Sequence, residues 1–422
     1  MTGSSSARST VMPRVSPWLN GPRISAGLLR GCFYYATVFG VATFRIGLQD
    51  DTLKFRASSR KGYKWLSILI RVLGSCFYGY SYGAWADQYT DWYLRLFFGL
   101  RLVGCLVCSV IILVLQVCYE KRILHLVNSF FGLFRRLRAL TRTVEAGFGG
   151  RLELTLLMFK LLSLAFVFLA FQWQYSPWVL LTILCDLYTS IGTGMIMHFC
   201  FVGYLSIGVL YAELNRYVDH QLRAQLSSLQ DQVEEDDIQQ QPDVQAHANL
   251  DECLAIYEEI HQVTCSFQRL FDLPLFLTLV QNLSAMAMVS YHAIMSREYH
   301  ISLWGLVLKL LIDVLLLTLA VHGAVSSSRL VRRLSLENYT IGQSKSYHIK
   351  VGVDKLVRSP RKFKLGSFFQ FEIFLGRLNH QQLRVCPLGM FEVSNELTLF
   401  FLSAMVTYLT FLVQYGIQTK QF

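Results

Sequence analysis

Residues 397–416 read LTLFFLSAMVTYLTFLVQYG, an almost uninterrupted apolar stretch near the carboxyl end of the chain. A helix that spans a bilayer needs about 20 mostly apolar residues, so this stretch is long enough to cross a membrane. Four polar or amphipathic side chains stand near its end: Thr407, Tyr408, Gln414 and Tyr415. Such groups are costly inside a spanning helix unless they face water or protein. The stretch therefore predicts a helix that lines a passage rather than one that only anchors the chain.

The composition of the whole chain indicates a membrane protein. Of its 422 residues 53% are hydrophobic and 16% are charged, whereas soluble proteins carry about 25% charged residues. Apolar runs recur along the chain, which predicts an all-α protein with several membrane spans. The net charge is +11, and the basic residues lie beside these runs instead of in a separate basic domain. This distribution predicts contact with membrane lipid and no binding of nucleic acid.

Seven segments are long enough to span the bilayer, and they define the predicted topology. They are residues 65–85, 97–118, 153–173, 179–211, 270–295, 301–325 and 393–416. An eighth apolar segment, residues 32–48, is shorter and is interrupted by Arg45. We expect it to form a helix that lies on the inner membrane face.

The positions of Lys and Arg predict the orientation of the chain. They concentrate in four segments, residues 1–64, 118–152, 214–269 and 326–392. Basic residues near the ends of spans favour the cytoplasmic side. With seven spans, this pattern predicts a cytoplasmic amino terminus and an extracellular carboxyl terminus.

A short motif near the carboxyl end carries a resemblance to a known family. Residues 407–415 read Thr-Tyr-LTFLV-Gln-Tyr, and the chain thereby resembles the insect gustatory receptors, whose signature is Thr-Tyr, five mostly hydrophobic residues and Gln-Phe. Tyr415 departs from the signature, since it adds a hydroxyl to the expected ring. Other stretches look most like the ninety-three subgroup of fly gustatory receptors: FGVATFRI (39–46), CDLYTSIGTGMI (185–196), FDLPLFL (271–277) and FEVSNELTLFFLSAMVTYLTFLVQYG (391–416).

The resemblance implies a function and an assembly. It implies the insect chemoreceptor ion-channel fold and a ligand-gated, non-selective cation channel in the plasma membrane of gustatory neurons. Its ligands would be small-molecule tastants, namely bitter plant compounds. The channel would be a homo- or heterotetramer with other gustatory receptor subunits, in which the last helix of each subunit surrounds a central pore.

The predicted spans, the distribution of charge and the resemblance together divide the chain into four parts. Residues 1–64 are the cytoplasmic amino terminus with its interfacial helix, and residues 65–325 are a six-helix transmembrane bundle with the ligand pocket and cytoplasmic helix extensions. Within this part residues 227–248, which are acidic and rich in Gln, are expected to be a disordered loop. Residues 326–392 form a cytoplasmic loop with an anchor helix. Residues 393–422 form the pore-lining seventh helix and a short extracellular tail.

The spacing of the pore candidates places them on one face of the last helix. Thr407 and Gln414 are two helical turns apart, and Phe411 lies between them on the same face. Phe411 is expected to form a hydrophobic constriction, and Gln414 an outer filter or gate with Tyr415 beside it. Alternatively, Tyr408 and Tyr415 anchor the helix at the membrane interface and Gln414 only reaches water.

Aromatic residues are frequent in the outer halves of the spans. They either form the interfacial belt or line an apolar pocket that suits hydrophobic compounds such as alkaloids, through stacking and cation–π contacts. Together with polar groups at similar depth, the ligand-pocket candidates are Tyr82, Trp85, Phe98, Arg101, Phe171, Trp173, Asp186, Tyr188, Gln281, Tyr291 and Trp304.

Charged residues inside the spans are the sharper signals. Arg101 and Asp186 lie at similar depths, so they form a buried pair, or Asp186 meets a cationic ligand. Lys309 and Asp313 are spaced i, i+4 and are expected to pair for structural reasons. Two basic residues nearer the inner ends are expected to snorkel toward water: Arg71 and Lys160.

Other classes of protein fit the sequence less well. A seven-helix G-protein-coupled chemoreceptor, the main alternative, has the opposite orientation and usually carries an acidic-Arg pair after its third span. An intramembrane enzyme needs a clustered nucleophile and base or a set of metal ligands. The His, Cys and Asp residues are scattered, so we expect no enzyme activity, no cofactor and no metal site.

Overall fold

The described residues form a helical bundle with a small β-hairpin. A computed structural model describes residues 21–49, 54–87, 92–141, 148–170, 177–222, 241–295, 301–339 and 383–420. The helices are α1 (Gly21–Val38), α2 (Lys61–Ala86), α3 (Trp92–Cys118), α4 (Glu120–Thr141), α5 (Arg151–Ala170), α6 (Pro177–Tyr217), α7 (Gln241–Met295), α8 (Ile301–Tyr339) and α9 (Asn395–Lys420). The strands are β1 (Phe44–Gln49) and β2 (Lys54–Ser59).

Among the residues that the structure describes, four helices contain stretches that are long and apolar enough to cross a membrane. These stretches are Phe98–Cys118, Leu180–His220, Ala255–Tyr291 and Leu303–Arg329. They coincide with four of the seven predicted spans and support a multi-pass membrane protein. The other three predicted spans fall on α2, α5 and α9. Crossing by these three helices stays a prediction, as do the sides on which the termini lie.

The interpretation of residues 32–48 as one helix is wrong. The helix α1 ends at Val38, and β1 begins at Phe44 and pairs in antiparallel register with β2, so that Phe44 lies opposite Ser59. The reason is visible in the sequence FRIGLQ of β1, where apolar and other residues alternate. This period of two is typical of a strand. An interfacial position of α1 is not tested, but Cys32 and Ala36 are fully buried and α1 packs against α5.

Helix α6 lies at the centre of the bundle. It packs against α2, α3, α4, α7 and α8, most extensively against α8. Its backbone approaches α8 closely because Gly208 has no side chain there: an added Cβ would lie 3.3 Å from the backbone nitrogen of Ala324. A helix that is apolar all round its surface is expected in such a buried place.

Several helices extend beyond the predicted spans. After a bend at Tyr119, α4 continues from α3, and α6 ends in a π-helical turn, Val218–Leu222. The helix α7 begins at Gln241, so residues 241–248 are helical although the sequence predicts a disordered loop over 227–248. The polar composition wrongly predicted disorder for residues 241–248, because these residues form the first turns of a longer helix. The anchor helix predicted before the last span covers residues 368–383, and all of these except Leu383 lie outside the described residues.

The segment before α9 is attached to α7. The amide nitrogen of Val393 donates to the carbonyl oxygen of Val385 at 2.8 Å. The side-chain amide of Gln268, on α7, donates to the carbonyl oxygen of Arg384 at 2.8 Å. The first bond closes the segment on itself, and the second holds it against α7 just before the chain enters α9.

Glu120 joins the hairpin to two helices. Its carboxylate accepts hydrogen bonds from Lys64 Nζ, at 2.5 Å, and from the hydroxyl of Ser59. Burial raises the pKa of the Glu120 carboxyl, but these two bonds outweigh it, so the pKa lies below its ordinary value. On β2, both backbone groups of Ala57 bond to the side chain of Asn128 on α4.

The turn after α1 is held by side chains from two other helices. The hydroxyl of Ser67 donates to the carbonyl oxygen of Gly40 at 2.7 Å, and the amide of Gln116 donates to the same oxygen. Arg71 Nη2 donates to the carbonyl oxygen of Phe39 at 2.9 Å. Arg71 is fully buried, with its guanidinium 4.8 Å from the ring centroid of Tyr188. The expectation that Arg71 snorkels to water is therefore wrong, because the carbonyl oxygen of Phe39 and the ring of Tyr188 receive it inside the bundle.

Gly40→Ala is expected to lower the free energy of unfolding by about 1–3 kcal/mol. Gly40 has a φ of +66°, and an added Cβ would lie 2.3 Å from Ser67 Oγ. The measurement is the melting temperature of the purified full-length protein. Gly27→Ala is the matched control, since Gly27 lies on the exposed side of α1 with nothing near an added Cβ. This control should be neutral or slightly stabilising, and equal losses for the two variants would contradict the role of Gly40.

Candidate functional site: a buried ion cluster, a cavity and an exposed helix face

A buried cluster of charges joins α5 to α8. Asp313 accepts hydrogen bonds from Lys160 Nζ at 2.9 Å and from Ser163 Oγ at 2.8 Å, both on α5. Its second oxygen lies 2.7 Å from Nζ of Lys309, one turn earlier on α8. The side chain of Asp313 is 4% exposed and that of Lys160 is 1% exposed. The i, i+4 pair of Lys309 and Asp313 is thus present, but the expectation that Lys160 snorkels is wrong, because Asp313 binds it inside the bundle.

A second ion pair connects α3 to α6. Arg101 Nη2 lies 3.3 Å from Asp186 Oδ1, and Ser190 Oγ donates to the same oxygen at 3.1 Å. The guanidinium lies 5.6 Å from the ring centroid of Tyr82, which contacts Phe98 edge-on at 5.7 Å. Of the two alternatives for Asp186, the structure contains the pair with Arg101. Its carboxylate is therefore already engaged by a cation.

A cavity lies between these two ion pairs. Helices α1, α3, α5, α6, α7 and α8 line it, and its empty volume is about 910 Å³. The polar lining includes Arg101, Gln281, Asn282, Lys309 and Asp313. Among the lining residues that the structure describes, Tyr35 is the only aromatic one. The wall is therefore more polar and more charged than the aromatic pocket expected from the sequence.

The structure brings only part of the predicted pocket to this cavity. Arg101 and Gln281 line it. Tyr82 and Asp186 contact Arg101, and Phe98 contacts Tyr82, but these three residues do not line the cavity. Tyr188 contacts Arg71 instead. Tyr291 is buried and Trp304 is exposed, and neither lines the cavity. The side chain of Trp85 and the residues Phe171 and Trp173 lie outside what the structure describes.

The lining residues that were missed as pocket residues or given another role include Tyr35, Lys309 and Asp313. Lys309 and Asp313 were expected to be purely structural, although they also face the cavity. Tyr35 lies on α1, which was placed outside the bundle. A charged residue in an apolar span was the available signal for Lys309 and Asp313. No pattern in the local sequence predicts that Tyr35 lies beside Lys309 and Asp313 in the cavity wall.

Helix α9 packs by one face and leaves another uncovered within the chain. Leu397 and Phe401 are buried, and the hydroxyl of Thr398 lies 3.0 Å from that of Thr318 on α8. The pore candidates that the structure describes lie on uncovered parts of the helix: Thr407, Tyr408, Phe411 and Gln414. The side chain of Tyr415 is outside the described set. Ser403 and Thr410, which sequence reasoning missed, are also exposed and extend a polar stripe at spacings of four, three and four residues to Gln414.

Comparison with known proteins places this arrangement in a family. The sequence model of the 7tm Chemosensory receptor family matches residues 29–419. Putative gustatory receptor 93b of Drosophila melanogaster is 60% identical over 97% of this chain and 98% of its own length. Putative gustatory receptor 93c of the same fly is 40% identical over 95% and 97%, and Gustatory receptor for bitter taste 93a is 25% identical over 74% and 72%.

A solved structure has the same fold. The insect olfactory receptor OR5 of Machilis hrabei matches with a TM-score of 0.56 at 13% identity, over 93% of this chain and 97% of that chain. The helical bundle and the family match define a multi-pass membrane protein of the chemosensory receptor class. The chain belongs to the insect gustatory receptor family and, within it, to the 93 subgroup.

Asp313→Asn is expected to destabilise the protein by about 3–5 kcal/mol, because it leaves two buried ammonium groups without a counter-charge. Lys309→Gln should cost far less, about 1 kcal/mol, since Lys160 and Asp313 remain as a neutral pair. The measurement is thermal unfolding of the purified full-length receptor. Equal losses for the two variants would contradict the assignment of Asp313 as the shared counter-ion.

Proposed function

We propose that this receptor is a ligand-gated, non-selective cation channel that detects bitter plant compounds. It would act in the plasma membrane of gustatory neurons, with the amino terminus in the cytoplasm and the carboxyl terminus outside. Seven helices would cross the membrane: α2, α3, α5, α6, α7, α8 and α9. The bitter class of ligand is suggested by the name of one relative, Gustatory receptor for bitter taste 93a.

The observation that carries the channel proposal is the uncovered polar face of α9. Ser403, Thr407, Thr410 and Gln414 follow one another along this face, and all four are exposed within the chain. The hydroxyls of Thr407 and Thr410 bond to backbone carbonyls one turn earlier, whereas the longer amide of Gln414 would need water or another chain. A membrane-spanning face of this kind is costly against lipid. A water-filled passage between several copies of α9 would hydrate these polar side chains.

The passage requires more than one subunit, because a single helix encloses nothing. A homo- or heterotetramer with other gustatory receptor subunits would place four such faces around one axis. Phe411, which is 67% exposed within the chain, would then form an apolar ring that closes the pore by excluding water. Gln414, one turn further on, would form an amide ring with Tyr415 beside it. A ring without acidic side chains favours weak selectivity among cations.

The main alternative is a G-protein-coupled chemoreceptor with the opposite orientation. The match to the chemosensory receptor family and the fold of an insect olfactory receptor count against it. The distribution of Lys and Arg also favours a cytoplasmic amino terminus. The relatives are chemosensory receptors, and nothing about them points to an enzyme.

Phe411→Ala is expected to raise the basal current, because it removes the apolar ring that holds the pore dry. Gln414→Ala is expected to change the relative permeability of sodium, potassium and calcium, because it removes the amide from the permeation path. The measurement is whole-cell current in cells that express the full chain, alone and with the 93a-type relative, before and after a panel of plant bitter compounds.

Leu409→Ala is the control for Phe411→Ala. Leu409 is half-buried and lies about 160° away from both Phe411 and Thr407 around the helix, at 3.6 residues per turn. Its removal should leave basal current and permeability unchanged. Unaltered currents in both pore variants would remove α9 from the permeation path, and a response that requires G proteins would favour the alternative class.

A further inference from the structure

We propose that the cavity between the two ion pairs binds tastants that carry a carboxylate on an apolar body. This inference rests on the proposal that the receptor detects small molecules, and it narrows their chemical class. It runs against the expectation of cationic alkaloids in an aromatic pocket. It is carried by the balance of charge around the cavity and by an unsatisfied polar atom in its wall.

The charge around the cavity is unequal. Arg101 is matched by Asp186, whereas Lys160 and Lys309 share the single carboxylate of Asp313. Of the charged side chains that the structure describes there, three are basic and two are acidic, so one positive charge is in excess. A buried charge is stable only when it is paired and hydrogen-bonded. A carboxylate in the cavity would supply the missing partner, whereas a cationic ligand would add a second unpaired charge.

Lys309 is the residue best placed to receive the carboxylate. It lines the cavity, while Lys160 lies behind Asp313 and is not part of the wall. An ammonium group has three donors, and the contact of Lys309 with Asp313 uses one of them. A ligand carboxylate beside Lys309 would thus accept a charge-assisted hydrogen bond without breaking the existing pair.

Asn282 supplies a second polar contact at the cavity wall. It is 4% exposed, and its side-chain nitrogen donates to the carbonyl oxygen of Leu310 at 3.3 Å. Its Oδ1 is buried and has no hydrogen-bond partner in the part of the chain that the structure describes. A buried acceptor of this kind favours a ligand that donates to it. A hydroxyl on the ligand would meet this requirement.

The remaining side chains of the cavity wall determine which ligand bodies fit. Its apolar side chains come from four helices: Leu164, Ile191, Met197, Val289, Leu306 and Leu310. An apolar wall with a few polar groups is typical of pockets that hold small organic ligands. The inferred class is therefore an aromatic or aliphatic acid, with higher affinity when the body also carries a hydroxyl.

The test compares three ligands that share one skeleton and differ in charge. Phenylpropanoate, phenylpropanamide and phenylpropylamine are titrated against the purified full-length receptor, and binding is measured as the shift in melting temperature. The carboxylate is expected to bind about 10–100-fold more tightly than the amide, and the amine most weakly. A hydroxyphenylpropanoate should bind more tightly than phenylpropanoate. This rank order needs no variant, so it does not depend on how a substitution affects folding.

Variants then assign the contact. Lys309→Gln should remove the preference for the carboxylate while leaving the affinity for the amide within about twofold, and Lys309→Arg should retain the preference. Arg136→Gln is the matched loss of positive charge, since Arg136 bonds Glu252 and Glu259 between α4 and α7, away from the cavity. This control should alter none of the three affinities.

Three results would overturn the inference. They are an amine that binds as tightly as the carboxylate, equal weakening of all three ligands by Lys309→Gln, and no shift with any carboxylate at about millimolar concentration. Because the readout is binding, it separates this inference from the channel proposal. Carboxylate binding without current would support the cavity assignment and contradict the channel, whereas currents evoked by alkaloids and insensitive to carboxylates would do the reverse.

Discussion

The arrangement of the bundle depends on one buried carboxylate that pairs with two buried ammonium groups. Asp313 bridges α5 and α8 through Lys160 and Ser163, and it pairs with Lys309 on its own helix. Charges buried at this depth cost several kcal/mol each unless their partners are well placed. Helix α5 therefore cannot slide or rotate against α8 without exposing an unpaired charge to an apolar surrounding. This constraint specifies the register of α5 and α8, and with it the shape of the cavity between them.

Two of the helices that line the cavity, α7 and α8, also contact α9. On α8, Asp313 faces the cavity and Thr318, five residues further along, meets Thr398 of α9. On α7, Gln281 and Asn282 face the cavity, and Ser290 lies 3.9 Å from the sulfur of Met405. A change in the packing of the cavity wall thus reaches α9 through rigid helices and direct side-chain contacts. This continuity gives the proposed ligand site and the proposed pore a physical connection, whose energetic coupling would have to be measured.

Much of the fold is predictable from local patterns, and the site is less so. Apolar runs predict the helices, and the spacing of Lys309 and Asp313 predicts their pair. The hairpin was missed because the apolar content of residues 32–48 suits a helix as well as a strand, and the period of two in β1 covers only six residues. Lys160 and Asp313 are 153 positions apart, so no local pattern reveals their contact. Aromatic residues near span ends are equally suited to lipid and to a ligand, so the sequence does not distinguish the two roles. Of the predicted pocket residues that the structure describes, Arg101 and Gln281 line the cavity and the aromatic ones do not.

The most direct test of this account is whether removing both lysines rescues the loss of Asp313. The stability of the full-length receptor is measured for Asp313→Asn alone and for Asp313→Asn combined with Lys160→Met and Lys309→Met. If Asp313 serves to neutralise two buried ammonium groups, the triple variant should be more stable than the single one, because apolar side chains of similar length replace the unpaired charges. A triple variant as unstable as the single one, or less stable, would contradict the account.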